Sequence, residues 1–178
     1  HQAENLVTMK LHNAGCNCVA SQVLVLPRDW PLRDALLAEV RRLLAELPPR
    51  RAYYPGATER WRLAVDAHPE AERFAGQPPR TLIAGLDPER ADEVCFSTET
   101  FGAVLGETSL PGADAASFLE NAVRFANERL EGTLGCTLLV HPTTARELGG
   151  RLEEAIAALR YGSIGVNVWN ALAYQLAQ

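Results

Sequence analysis

"NAGCNCVASQVLVLP", residues 13–27, passes from a glycine-centred turn through two thiols one residue apart into a β-branched, alternating run that a proline ends. The alternation after Cys18 reads as a strand, and residues 3–12 before it read as the end of a helix. Cys18 is therefore expected at a helix-to-strand junction. Such a junction suits a single nucleophilic cysteine: the glycine lets the chain turn and a substrate approach, and backbone N–H groups near the sulfur are placed to hold an oxyanion. Two other readings of the same residues stay open. Cys16 and Cys18 can both pack as small apolar groups, as free cysteines usually do. His12, Cys16 and Cys18 can also be read as metal ligands, but three donors in one turn with no second C-x-x-C leave a structural zinc shell short, so no metal is expected. A thioredoxin-like redox pair needs two residues between the thiols, and only Asn17 stands there.

Outward from this stretch, "PLRDALLAEVRRLLAEL" carries apolar residues at Leu32, Leu36, Val40, Leu43, Leu44 and Leu47, a helical stripe opened by a proline and closed by Pro48 and Pro49. "TERWRLAVDAHPEAERF" is helix-like on both sides of Pro69. "TLIAGL", "EVCFS" and "FGAVLGE" have the length and apolarity of strands. In the second half, "LPGADAASFLENAVRFANERLEG" and "TTARELGGRLEEAIAALRYG" read as helices, while "TLGCTLLVHP" and "SIGVNVW" read as strands. Strand and helix alternate, which predicts an α/β fold with a mostly parallel sheet flanked by helices, its strands apolar on both faces. No linker or repeat interrupts residues 1–178, and a single domain is expected.

Composition narrows the function classes. The chain has 178 residues, 47% hydrophobic and 22% charged, and a net charge of −5 with scattered basic residues. No phosphate-tracking groove is written in it, so nucleic acid is not an expected partner. No stretch is long and apolar enough to span a bilayer, so a membrane is not expected either. Four cysteines, unevenly spaced, do not make a disulfide scaffold and fit a reducing cytoplasm. The first residue is His1 and no signal-peptide pattern appears, so the chain is expected to be a piece of something longer.

Four segments, in order, resemble the aldehyde dehydrogenase superfamily. "NAGCNCVASQVLV" resembles its N-x-G-Q-x-C-x-A nucleophile segment, with Asn13, Gly15, Cys18 and Ala20 on the pattern and Cys16 where glutamine is usual. "ETFGAV", residues 99–104, resembles E-x-F-G-P-V, with Ala103 in place of proline. "ANERLEGTLGCTLLVHP" is similar to the segment that follows the cofactor loop, and "LRYGSIGVNVWNALAY" to the late strand that ends in V-N.

The resemblance implies an aldehyde-dehydrogenase catalytic-domain-like fold with Cys18 as the nucleophile. It implies that Glu99 and Phe101 contact NAD or NADP at the nicotinamide ribose and ring, and that Asn167, Trp169 and Asn170 line the aldehyde pocket. The expected reaction oxidises an aldehyde to a carboxylic acid through a thiohemiacetal and a thioester on Cys18. Alternatives are a coenzyme-A-acylating or phosphorylating relative, or a non-catalytic domain in which Cys16 and Cys18 pack or bind a metal. The family's dinucleotide-binding domain and general-base glutamate precede the nucleophile, and no G-x-G-x-x-G follows a strand here, so that N-terminal domain is an expected missing partner and the fragment alone is expected to be inactive. A homo-oligomer is a possible assembly. "ELGG" at 147–150 copies the letters around the family's general base but follows Cys18, so Glu147 is expected to be a solvated helix residue beside a glycine kink.

Overall fold

The structure, a computed structural model, describes residues 1–176. It divides between Ser109 and Leu110 into two compact units. The first holds α1 (Gln2–Leu11), β1 (Val23–Pro27), α2 (Arg33–Glu46), α3 (Ala57–Asp66), β2 (Glu72–Phe74), β3 (Arg80–Leu86), α4 (Val94–Ser97) and β4 (Val104–Leu110), whose last residue opens the second unit. These strands make one sheet in the order β1-β4-β3-β2; β3 and β4 run parallel, and β2 adds an antiparallel edge.

The strands at the centre are buried because both faces of the sheet are covered. Leu82, Ile83, Val104 and Leu105 are all but inaccessible, as the apolar runs predicted. Arg80, Thr81, Glu107 and Thr108 share that interior, and each is satisfied; the Arg80 guanidinium donates to the Ala75 and Leu47 carbonyls at 2.8 and 2.7 Å. Thr108 Oγ1 donates to the Leu86 carbonyl at 2.7 Å, and Trp61 Nε1 donates to Thr81 Oγ1 at 2.8 Å. Glu107, fully buried, takes a bidentate pair from Arg33 at 3.0 and 2.8 Å and the Gly85 N–H at 2.9 Å.

Three local readings change. The buried stripe of α2 is Leu37, Val40 and Leu44, while Leu32 and Leu47 are exposed. The helix starts at Arg33 rather than at the proline, so Leu32 is the residue before its first turn and the apolar face is spaced i, i+3, i+7 from Leu37. "EVCFS" is a helical turn, not a strand: the Glu93 side chain accepts the Cys95 N–H at 2.9 Å and its carbonyl accepts Phe96 N–H at 3.1 Å, so a capping residue outweighs the β-prone letters. Beyond Pro69, Glu72–Phe74 is the edge strand β2 rather than helix.

The second unit holds α5 (Ala115–Arg129), β5 (Gly135–Leu138), α6 (Pro142–Leu148), α7 (Gly150–Ala158), β6 (Ser163–Val166) and the short α8 (Ala173–Leu176). β5 and β6 pair in parallel, from Gly135 opposite Ser163 to Leu138 opposite Val166. Asp114 caps α5 by accepting Ser117 N–H at 2.8 Å, and Ser117 Oγ accepts the Asp114 N–H in return. Gly149, at φ 55° and ψ −131°, separates α6 from α7, and Glu147 is exposed near the end of α6. No helix among the described residues is long and apolar enough to cross a membrane.

Candidate active site

Between α1 and β1 the chain makes a turn that few sequences tolerate. Asn13, Ala14 and Gly15 have φ of 55°, 57° and 78°, three successive left-handed residues. Such a conformation costs an alanine about 1–2 kcal/mol, so surrounding bonds must hold it. Asn13 supplies two: its Nδ2 donates to the Cys16 carbonyl at 2.9 Å and lies 2.9 Å from the Tyr53 hydroxyl. After the turn, Asn17 Oδ1 accepts Val19 N–H at 3.0 Å and the Asn17 carbonyl accepts Ala20 N–H at 3.0 Å.

Within this frame the two thiols part company. Cys16 is 4% exposed and points inward, its S–H donating to the Phe101 carbonyl at 3.6 Å; Cys18 is exposed. Among the described residues the Cys18 N–H meets no acceptor, although the N–H groups of Cys16, Val19 and Ala20 all do. An exposed sulfur and an amide donor without a protein acceptor therefore share one residue, an arrangement able to stabilise an oxyanion at an attacked carbonyl.

The predicted cofactor segment lies against this turn. A Cβ on Gly15 would overlap the Gly102 carbonyl, so glycine at 15 is what lets the two loops touch. Phe101 takes the uncommon φ of 42°, and its ring centroid lies 4.6 Å from that of Tyr54. Glu99, two residues earlier, is exposed. The sequence motifs around Cys18, Glu99 and Phe101 thus fall on two loops that the fold packs together.

The remaining predicted residues stand at the end of β6 in the second unit. Asn167, at φ 57°, exchanges both side-chain amide bonds with the Val140 backbone at 2.8 Å and extends the β5–β6 pairing. Asn170 is 5% exposed; Thr137 Oγ1 donates to its Oδ1 at 3.2 Å and Ser163 Oγ donates to its carbonyl at 2.9 Å. Its amide fills the space a Cβ on Gly135 would occupy. Trp169 between them is half-buried. The two asparagines are thereby committed to shaping the turn that presents Trp169.

No protein-family model and no curated protein matches the sequence. Solved structures do match. An NAD-dependent aldehyde dehydrogenase from Sinorhizobium meliloti is 19% identical with a TM-score of 0.68, covering 94% of this chain and 34% of its own. A succinate-semialdehyde dehydrogenase from Burkholderia pseudomallei is 20% identical at 0.71, covering 93% and 35%. An NADP-dependent glyceraldehyde-3-phosphate dehydrogenase from Bacillus halodurans C-125, complexed with NADP, is 16% identical at 0.71, covering 94% and 35%. The fold is that of an aldehyde dehydrogenase segment. The chain spans about a third of the length of those aldehyde dehydrogenases.

Within this aldehyde dehydrogenase fold, two features carry no sequence motif. Lys10 is 1% exposed on the inner face of α1, and burial, opposed by the charge of Glu99, pushes its pKa down to about 7. Its Nζ reaches Gln22 Oε1 at 3.4 Å, which is a long bond for a buried cation. The signal existed: Ala3, Leu6 and Lys10 fall on one helical face, so the phase of the apolar stripe places the lysine inside. The second feature is a buried group of His68, Glu93 and Cys95, whose ligand atoms lie within 4.8 Å of one another. Nothing in the spacing of these residues announces it. His12, Cys16 and Cys18 form no such group among the described residues: His12 Nδ1 lies 3.0 Å from Asn17 Nδ2, and the Cys16 thiol is spent on Phe101.

Proposed function

We propose that the chain is the nucleophile-bearing catalytic domain of an NAD(P)-dependent aldehyde dehydrogenase, working within a longer protein that also holds the dinucleotide-binding domain. The observation that carries this reading is the pairing of an exposed Cys18 sulfur with its own unused N–H at the end of a left-handed turn, in a fold shared with aldehyde dehydrogenases.

The residues present fit one end of the cofactor. Glu99 offers an exposed carboxylate to ribose hydroxyls, and Phe101, backed by Tyr54, offers a wall for a flat ring. No phosphate-cradling glycine loop accompanies them, so the diphosphate is held by the other domain.

Cys18 as thiolate adds to the aldehyde carbonyl carbon, forming a C–S bond and placing negative charge on oxygen, where the Cys18 N–H receives it. NAD(P), when bound, supplies the acceptor for the hydride that leaves this carbon. Cys18 then carries a thioester, and water cleaves it to the carboxylic acid and the free thiol. The resemblance gives the turn formed by Asn167, Trp169 and Asn170 the role of aldehyde contact, with Trp169 the side chain that this turn presents. The whole protein is soluble and cytoplasmic in this reading, and the isolated chain reduces NAD(P) poorly or not at all.

The test uses the full-length protein. With aldehyde and NAD(P), rapid quenching and peptide mass spectrometry are expected to find an acyl adduct on the Cys18 peptide, and Cys18→Ser is expected to abolish both adduct and turnover. Undiminished turnover in Cys18→Ser, or an adduct on another cysteine, defeats the proposal.

A further inference from the structure

His68 Nδ1 lies 2.8 Å from the Ala64 carbonyl, which can only accept, so the proton of a neutral ring sits on Nδ1. His68 Nε2 then presents a lone pair, and what it faces, at 3.1 Å, is Glu93 Oε2. Two lone pairs do not meet at that distance in a protein interior without a positive centre between them. Glu93 is fixed in that pose, because its other oxygen accepts the Cys95 N–H at 2.9 Å. Cys95 Sγ lies within 4.8 Å of both atoms, and the three residues are 3%, 2% and 9% exposed.

We propose that His68 Nε2, Glu93 Oε2 and Cys95 Sγ bind a divalent transition-metal ion of the zinc type. Zinc takes nitrogen and oxygen at about 2.0–2.2 Å and sulfur at about 2.3 Å. At tetrahedral angles, that sets the nitrogen and oxygen about 3.3 Å apart, close to the distance observed, and the sulfur about 3.6 Å from each, a move inward of about 1 Å at most. Imidazole and thiolate select this class of ion over magnesium or calcium, which take oxygen donors. Carboxylate and thiolate together carry two negative charges, matching the ion, and the thiol gives up its proton to solvent on binding.

The surroundings are those a ligated site needs. The Ala64 carbonyl on Nδ1 fixes the ring's tautomer and tilt, as the outer partner of a metal-bound histidine does, and the Cys95 N–H orients the carboxylate. Arg90 approaches Glu93 Oε2 at 3.8 Å, but it is already bonded to Asp92 at 3.0 Å and half in solvent, so its charge is shared and screened. Three protein donors leave the fourth position of a tetrahedral ion to water. The bound ion clips the segment just after α3 to the cap and first turn of α4, with His68 and Glu93 25 residues apart in the chain.

The experiment is metal reconstitution. Chelator-stripped protein is titrated with cobalt(II) as a spectroscopic stand-in for zinc, and zinc content is measured after reloading and dialysis. One equivalent of zinc is expected, with a thiolate-to-cobalt charge-transfer band that Cys95→Ser and His68→Gln lose and the Cys16→Ser, Cys18→Ser double variant keeps. A band that survives Cys95→Ser, a band lost in the double variant, or no band at all overturns the assignment. In the unaltered protein, nitrogen-resolved NMR of His68 is expected to show a proton on Nδ1 and none on Nε2 once zinc is present. Protons on both nitrogens at saturating zinc would mean that a second proton, not a metal, fills the gap, and would overturn the assignment even where Cys95→Ser fails to fold.

Discussion

Replacing Lys10 with methionine removes a buried cation while keeping a chain of similar length in its place. Burial lowers the lysine from its ordinary 10.5 to about 7. At about 1.36 kcal/mol per pH unit, that difference corresponds to about 5 kcal/mol of destabilisation when the amine is charged in both states. Below pH 7 folded and unfolded chains both carry the proton and the full cost applies. Between pH 7 and 10.5 the unfolded lysine keeps its proton while the folded one has lost it, so the native protein gains stability as pH rises. Lys10→Met has no such dependence. Its advantage over the parent protein is therefore largest near about pH 6 and shrinks by about 3 kcal/mol between about pH 7 and pH 9. The methionine forfeits the long contact to Gln22, whose Oε1 still accepts from Thr100 Oγ1 at 3.3 Å, and the attraction to Glu99, which burial already outweighs. Urea unfolding followed by circular dichroism, with chelator present, reads the difference directly. A gap that stays constant with pH, or a variant less stable than the parent at low pH, would show that the charge is compensated in the fold and refute the reasoning.

Other perturbations have equally definite outcomes. Gly15→Ala drives a Cβ into the Gly102 carbonyl at a φ of 78°, and is expected to cost about 2–4 kcal/mol in denaturant unfolding. Arg33→Met strands the fully buried Glu107 carboxylate without its bidentate partner, at an expected cost of about 3–5 kcal/mol in the same assay. Asp114→Ala removes the cap of α5 and is expected to lower the melting temperature slightly, with the capping variant Asp114→Asn restoring most of it. Burial pushes the Cys95 thiol up to about 12 and the Cys136 thiol, which is half-buried, up to about 11, so neither is expected to alkylate in the native protein near neutral pH; prompt labelling of either would contradict its raised pKa.

Much of the fold was legible because its apolar runs obey simple periods. The runs around Leu82, Leu105 and Ile164 became strands, and the stripe of α2 became a helix with its face shifted toward Leu37. What failed were segments where one polar side chain overrides a local pattern. Glu93 turned "EVCFS" into a capped helical turn by binding the Cys95 N–H, and no propensity scale contains that bond. The loops around Cys18 and Phe101 were readable as motifs, and their packing rests on the bare Cα of Gly15, which a sequence marks only as a glycine. The His68–Glu93–Cys95 group could not be read at all, because its members meet only when α3 and α4 pack.

The central claim, that Cys18 alone among the four cysteines is the mounted nucleophile, is tested most directly by brief alkylation with limiting reagent followed by peptide mass spectrometry. The account predicts that Cys18 is labelled first and by a wide margin, with Cys16 protected under Phe101 and Cys95 and Cys136 silent. Equal labelling of Cys16 and Cys18, or a Cys18 that fails to react, would contradict it.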